Sequence, residues 1–161
     1  MVERVGHGRG AWLPLRAAVE AQAFRVLAQR RHVPPAATEA ITALNRISSR
    51  SPQRDFVEAD LAFHSAIVHG TRNARLIRVH DGLRAEILLL LAQLAIRYPS
   101  VRQLAREHNE LVTAITHGTP TEAEATIRAH LERAAEWLAA HASAVEPHPR
   151  PRRAAPPEAG P

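Results

Sequence analysis

One carboxylate and three imidazoles stand in this sequence at positions where the helical pattern calls for apolar side chains. Asp60 and His64 follow Phe56 at intervals of four, so the three share one face of a helix. His108 falls between two leucines at helical spacing, and His130 follows an isoleucine by three residues. Because burying an isolated carboxylate or imidazole is costly, we expect these four side chains to satisfy one another inside the protein.

A divalent metal ion would satisfy all four side chains at once. The Asp-x-x-x-His spacing puts an oxygen ligand and a nitrogen ligand about one helical turn apart. Two imidazoles from facing helices then complete a set of one oxygen and three nitrogens, which suits Zn, Ni, Mn or Fe(II). We therefore predict a metal centre at Asp60, His64, His108 and His130. The alternative is a polar core in which the same residues are linked by hydrogen bonds.

Four further polar residues are candidates for contacting a bound ligand. Arg16 forms an i,i+4 pair with Glu20, which is either a surface ion pair or a guanidinium that reaches inward to a ligand carboxylate. His80 lies beside apolar residues of the fourth predicted helix and could line a pocket. Arg84 and Asn109 complete the set, although the sequence does not fix the orientation of either side chain.

The residues that an enzyme would need are scarce. Glu58 and Glu107 are neighbours of predicted ligands in sequence, but we expect both on other helix faces, which leaves no general base beside the metal. The chain has neither a Gly-rich phosphate loop nor a recognisable Ser/His/Asp set. The absence of cysteine excludes thiol catalysis and cysteine-based metal sites. We expect that the chain is not an enzyme, with a metal-dependent helical-bundle enzyme as an alternative.

Six predicted helices position these residues. Apolar residues recur at spacings of three and four over about 15–31, 36–47, 54–69, 74–97, 101–116 and 122–142. Prolines, glycines and short polar segments separate these stretches. Hydrophobic residues are 45% of the 161 and aromatic residues only 4%, which argues against a β-sandwich. The pattern predicts an all-α, antiparallel bundle of about six helices.

The two ends of the chain differ from the helical region, which we place at residues 15–145. Residues 1–14 have an irregular pattern, and residues 146–161 are rich in Pro and Arg, so we expect the latter to be a disordered tail. The formal net charge is +5, and every basic residue other than histidine is Arg. The longest apolar run, 87–96, is about half the length of a membrane span. Since the N-terminus also lacks a secretory pattern, we expect a cytoplasmic protein without a membrane partner.

Three segments resemble the FCD domain, the C-terminal effector-binding domain of GntR-type transcriptional regulators of the FadR subfamily. FVEADLAFHSAIVHGTRNARL (residues 56–76) is similar to its D-x-x-F-H helix and the following Asn. REHNELVTAITHGTPTEAEATIRAHL (residues 106–131) resembles its later E-H segment, which ends in H-L. LRAAVEAQAFRVLAQRR (residues 15–31) resembles its opening R-x-x-(L/V)-E helix.

The resemblance implies both a site and partners. The metal ligands of the family fall on Asp60, His64, His108 and His130, and its opening Arg, often near a bound carboxylate, falls on Arg16. It further implies a homodimer that binds a small organic acid effector and passes a signal to DNA. Residues 1–14 resemble the end of a winged-helix wing and a linker, so we expect DNA contact only through a winged-helix domain that is missing from this chain.

The sequence therefore predicts the ligand-sensing domain of a truncated GntR/FadR-type regulator. In this hypothesis a divalent metal and a carboxylate effector favour one arrangement of the dimer and so modulate DNA binding. A non-catalytic dimerisation module with a polar core is the other alternative.

Overall fold

Seven α-helices account for the secondary structure of residues 12–97 and 100–142, which are the residues that the computed structural model describes. They are α1 (Trp12–Arg30), α2 (Pro35–Arg46), α3 (Gln53–Gly70), α4 (Ala74–Gly82), α5 (Arg84–Arg97), α6 (Val101–His117) and α7 (Pro120–Ala142). No strand occurs among these residues, so the predicted all-α fold class is confirmed. Most of the predicted wing remnant (residues 1–11) and all of the predicted tail (146–161) lie outside the described residues.

The sequence predicts one helix over residues 74–97, whereas the structure has two. Leu83 separates them with φ −91° and ψ 2°, and its backbone N–H donates to the carbonyl of His80, three residues back, at 3.0 Å. Gly82 comes just before this turn, and glycine weakens a helix locally. The break lets α4 pack on α1 and α3 while α5 packs on α3 and α7.

The apolar run of α5 is only partly covered by the rest of the described chain. Its inward-facing side chains are Ile87, Leu90 and Leu91. Leu88 and Leu89 face outwards, and Leu89 is 64% exposed. None of the described helices has both the length and the apolar character that a membrane span requires.

The main core is built around α1, which packs against α3, α4, α6 and α7. Its large buried side chains come from five helices and include Phe24, Leu27, Leu44, Phe63, Ile67, Leu111, Ile115 and Ile127. Four of these helices, α1, α3, α6 and α7, also bury charged or polar side chains. In such apolar surroundings a polar group needs a partner, because the low local dielectric strengthens every electrostatic interaction and makes an unpaired group costly.

We expect Gly70→Ala to destabilise the protein by about 1–3 kcal/mol, the range for overpacking a tight site. Gly70 is the last residue of α3, and a Cβ added there would overlap Cγ of Pro34, which leads into α2. Gly82→Ala is the matched control, since an added Cβ at that position meets no atom within 4 Å. Alanine also has the higher helix propensity, so this control should be neutral or stabilising. Urea denaturation of both variants tests the packing, and equal midpoints would contradict it.

Candidate metal centre

Three helices bring the predicted imidazoles together. His64 on α3, His108 on α6 and His130 on α7 are all buried. One ring nitrogen from each residue can be chosen so that the three atoms lie within 4.8 Å of one another. The ring centroids are 5.3 Å apart for His64 and His108, 5.5 Å for His64 and His130, and 4.9 Å for His108 and His130. Residues separated by up to 66 positions in sequence thus form one cluster.

Asp60 lies at the edge of this cluster, one helical turn before His64. Its Oδ1 is 3.1 Å from Nε2 of His108, and its Oδ2 is 3.8 Å from Nε2 of His64. The second distance is too long for a hydrogen bond, and Oδ2 has no hydrogen-bond partner among the described residues. A fully buried carboxylate oxygen without a donor is rare in proteins.

In each of the three histidines, Nδ1 faces an oxygen that can only accept a hydrogen bond. The pairs are His64 with Glu20 Oε2 at 2.6 Å, His108 with the backbone carbonyl of Leu104 at 3.0 Å, and His130 with Glu107 Oε2 at 3.2 Å. Each Nδ1 therefore carries the proton, and the lone pair of each neutral ring is on Nε2. Histidines that bind metals have this arrangement, in which the outer nitrogen donates to a carboxylate or carbonyl and the inner one is free to coordinate.

The inner nitrogens are those that lack partners. Nε2 of His64 and Nε2 of His108 are buried and have no hydrogen-bond partner among the described residues. If the proton of His108 is on Nδ1, the Nε2 lone pair faces Oδ1 of Asp60 at 3.1 Å. Two hydrogen-bond acceptors then lie side by side and repel each other. A positive charge between these atoms, either a proton or a metal ion, removes the repulsion. The donor set of three imidazoles and one carboxylate fits a divalent transition metal.

The protonation states at neutral pH suit metal binding. Burial by itself raises the pKa of Asp60, but the neighbouring His108 and the cationic surroundings, which include the Arg16 guanidinium, hold it well below its usual range. Burial lowers the pKa of His130 to about 4, although the hydrogen bond to Glu107 acts in the opposite direction. Burial likewise lowers the pKa of His64, despite the opposing charge of a neighbouring carboxylate. The carboxylate is then charged while these two imidazoles are neutral, as metal ligands must be.

The Arg16–Glu20 pair lies inside the protein, which rules out the first of the two alternatives, a surface ion pair, and leaves the inward-facing guanidinium. Nε of Arg16 donates to Oε1 of Glu20 at 2.7 Å, and both side chains are buried. Burial acts to raise the pKa of Glu20, but the Arg16 guanidinium and His64 hold it well below its usual range. Sequence reasoning did not place Glu20 at the site. The sequence feature that could have predicted its burial is its spacing of four residues from Phe24, which puts Glu20 on the buried face of α1.

Glu107 also lies where sequence reasoning did not expect it. Although its position is rotated away from that of His108 on α6, its side chain is buried and accepts the hydrogen bond from His130. The reason is that α7 packs beside α6 and covers this second face of the helix. Glu58, by contrast, is exposed on another face of α3, as expected.

The remaining candidate residues divide into two groups. His80 is buried near Glu20, with Nε2 3.7 Å from Oε1, and neither of its ring nitrogens has a hydrogen-bond partner among the described residues. Arg84 and Asn109 are exposed, and Asn109 donates to Oδ1 of Asn45 at 2.9 Å. The structure therefore brings Arg16 and His80 to the cluster and leaves Arg84 and Asn109 on the surface. Arg84 is the first residue of α5, directly after the turn at Leu83.

A small cavity adjoins the cluster. Its polar lining comes from Arg16, Asp60 and His130, and its apolar lining includes Leu91 of α5 and Ala134 of α7. The cavity has a volume of about 10 Å³, which is space for about one water molecule. The cavity links the predicted ligands to the predicted effector arginine, but it is too small for an organic acid in this conformation.

Comparison with known families gives a match over most of the chain. The family model of the FCD domain matches residues 12–133, which include α1 to α6, most of α7 and all four predicted metal ligands. Comparison with curated proteins gives no match.

Proposed function

Because the chain belongs to the FCD family of effector-binding regulatory domains found in GntR-type regulators, we propose that it senses a small organic acid at a divalent metal. Asp60, His64, His108 and His130 would hold the metal. When bound, the metal supplies a Lewis-acidic position for a carboxylate oxygen. A set of one oxygen and three nitrogen ligands accommodates Zn, Ni, Mn or Fe(II).

The observation that carries this proposal is the environment of the ring nitrogens in the three histidines. Each Nδ1 lies opposite an outer acceptor, and two of the inner Nε2 atoms are buried with no hydrogen-bond partner among the described residues. A polar core stabilised only by its own hydrogen bonds would use those inner atoms, since unsatisfied buried polar groups are destabilising. A metal ion uses them directly.

Two further residues support the effector part of the proposal. Arg16 lines the small cavity next to Asp60, where its guanidinium could pair with a carboxylate. His80, whose ring nitrogens lack hydrogen-bond partners in the described part of the chain, could bind a second polar group of the same ligand. In this proposal the effector favours one arrangement of a homodimer and thereby alters DNA binding by a winged-helix domain. The exposed Leu88 and Leu89 of α5 offer apolar surface for a dimer contact.

A regulatory role fits the site better than a catalytic one. Two buried acids contact predicted ligands, but their carboxylates already accept hydrogen bonds. Glu107 accepts from His130 and from Gln103, and Glu20 accepts from His64 and from Arg16. Each therefore orients a ligand, which is a role that a sensing site also needs.

Metal content measured by mass spectrometry on the purified protein tests the proposal. We expect about one equivalent of a transition metal per chain and almost none in the Asp60→Ala/His108→Ala double variant. Glu58→Ala is the matched control, because this exposed side chain lies on another face of the helix that carries Asp60. Absence of metal from the wild type, together with unchanged melting after addition of Zn, Ni or Mn, would overturn the proposal in favour of a polar core.

A further inference from the structure

A single carboxylate on α1 lies among three basic side chains at the predicted metal centre and contacts two of them closely. Glu20 Oε1 accepts from Nε of Arg16 at 2.7 Å, and Oε2 accepts from Nδ1 of His64 at 2.6 Å. Nε2 of His80 lies 3.7 Å from Oε1, beyond hydrogen-bond range. Glu20 is fully buried, and a buried charge is tolerated only with good partners. Its two short contacts provide them, one from a cation and one from a predicted metal ligand.

The geometry points to Glu20 as the positioning residue of the metal centre, and to Arg16 as a residue that supports metal binding through Glu20. Glu20 holds the ring of His64 in the orientation and tautomer that present Nε2 to the metal. Arg16 in turn holds the carboxylate of Glu20. This inference rests on the proposed metal centre and adds a role for Arg16 that does not require an effector.

The three outer acceptors are not equivalent, which is why Glu20 is singled out. The acceptor for His108 is a backbone carbonyl of its own helix, one turn earlier, so no side chain can remove it. Glu107, the acceptor for His130, makes the longer contact of 3.2 Å. Glu20 makes the shortest contact, 2.6 Å, and belongs to a helix that contributes none of the four predicted ligands. A movement of α1 would therefore alter the orientation of His64 through this hydrogen bond.

The first experiment measures the dissociation constants for Co(II) and Zn(II) by chelator competition, together with the visible spectrum of the Co(II) protein. We expect Glu20→Gln to weaken both metals about 10–100-fold, the usual effect of losing an outer-shell partner. The Co(II) absorption bands should also shift, because the His64 ligand becomes less basic and less fixed. Glu124→Gln is the matched control: this glutamate pairs with Arg25 and Arg128 on the surface, so its loss should change neither quantity.

A double variant separates positioning from general stability. Arg16→Met should weaken Co(II) binding and shift the same absorption bands. The Arg16→Met/Glu20→Gln protein should bind Co(II) no more weakly than Glu20→Gln alone, since both residues act by one route. This double variant removes both buried charges, so it should fold even if a single variant, with its uncompensated charge, does not.

Three results would overturn the inference. The first is that the Glu20→Gln protein has the same Co(II) affinity and absorption spectrum as the wild type. If Glu20→Gln fails to fold, the double variant takes its place in this comparison. The second is full additivity of the two single effects. In either case the metal centre itself would stand. The third is failure of the wild-type protein to bind Co(II) or Zn(II), which would overturn the inference and the proposed function together.

Discussion

We expect zinc to raise the melting temperature of the metal-free protein by about 10 °C, and a chelator to reverse the change. This is the result expected if the folded state binds the ion through four ligands and the unfolded chain binds it far more weakly. At a free concentration of about 1,000 times the dissociation constant, such binding stabilises the fold by about 4 kcal/mol. For a domain of this size each kcal/mol shifts the melting temperature by about 2–4 °C. The physical source is the positive charge placed beside Asp60 and the unpaired Nε2 atoms of His64 and His108.

Thermal unfolding followed by circular dichroism measures this effect. Mg²⁺ is the control ion, because it prefers oxygen ligands and binds poorly to a site dominated by imidazoles. Equal shifts with Zn²⁺ and Mg²⁺ would indicate a general ionic effect instead of the site described above. No shift with Zn, Ni or Mn would mean that the polar cluster is stabilised without a metal.

We expect Phe63→Ala to lower the free energy of unfolding of the metal-free protein by about 3–5 kcal/mol, the usual effect of deleting a buried aromatic ring. Phe63 is fully buried and packs edge-on against two predicted ligands. Its ring centroid is 5.3 Å from that of His64 and 5.0 Å from that of His108. The substitution removes apolar contacts and also the wall that holds these two imidazoles in place, so metal affinity should fall as well.

Urea denaturation in the presence of a chelator isolates the stability effect of this substitution. Phe63→Leu is the matched control, because it keeps most of the volume and should cost less than about 1.5 kcal/mol. A loss below about 1 kcal/mol in Phe63→Ala would show that the cluster does not depend on this ring for its packing.

The helical period was sufficient to find the four predicted ligands. Asp60, His64, His108 and His130 each lie three or four residues from a buried apolar side chain, so the face they occupy follows from the sequence. Their convergence did not follow from the period, since it depends on how α3, α6 and α7 pack. The structure brings the three histidines together in one cluster with Asp60 beside them.

Other features depend on tertiary contacts that a periodic pattern does not encode. Glu20 and Glu107 are charged, and such residues are usually exposed, so their burial became evident only from the helices that cover them. The break at Leu83 interrupts a continuous apolar pattern, and the helices on its two sides differ in their packing partners: α4 contacts α1, whereas α5 contacts α7. Arg84 begins the helix after that break, and its exposure could not be predicted from the spacing of apolar residues.

The size of the cavity beside Asp60 has a kinetic consequence. Its lining includes side chains from α5 and α7, and its volume of about 10 Å³ excludes any organic acid. The proposed effector can therefore bind only when a thermal fluctuation separates these walls. Its association rate constant should then be lower than the diffusion-limited value. Its apparent affinity is also reduced by the fraction of molecules that are open. If about 1% of molecules are open, the observed dissociation constant is about 100 times the intrinsic one. Substitutions that loosen the contact of α5 with α7 would then strengthen effector binding while weakening the fold.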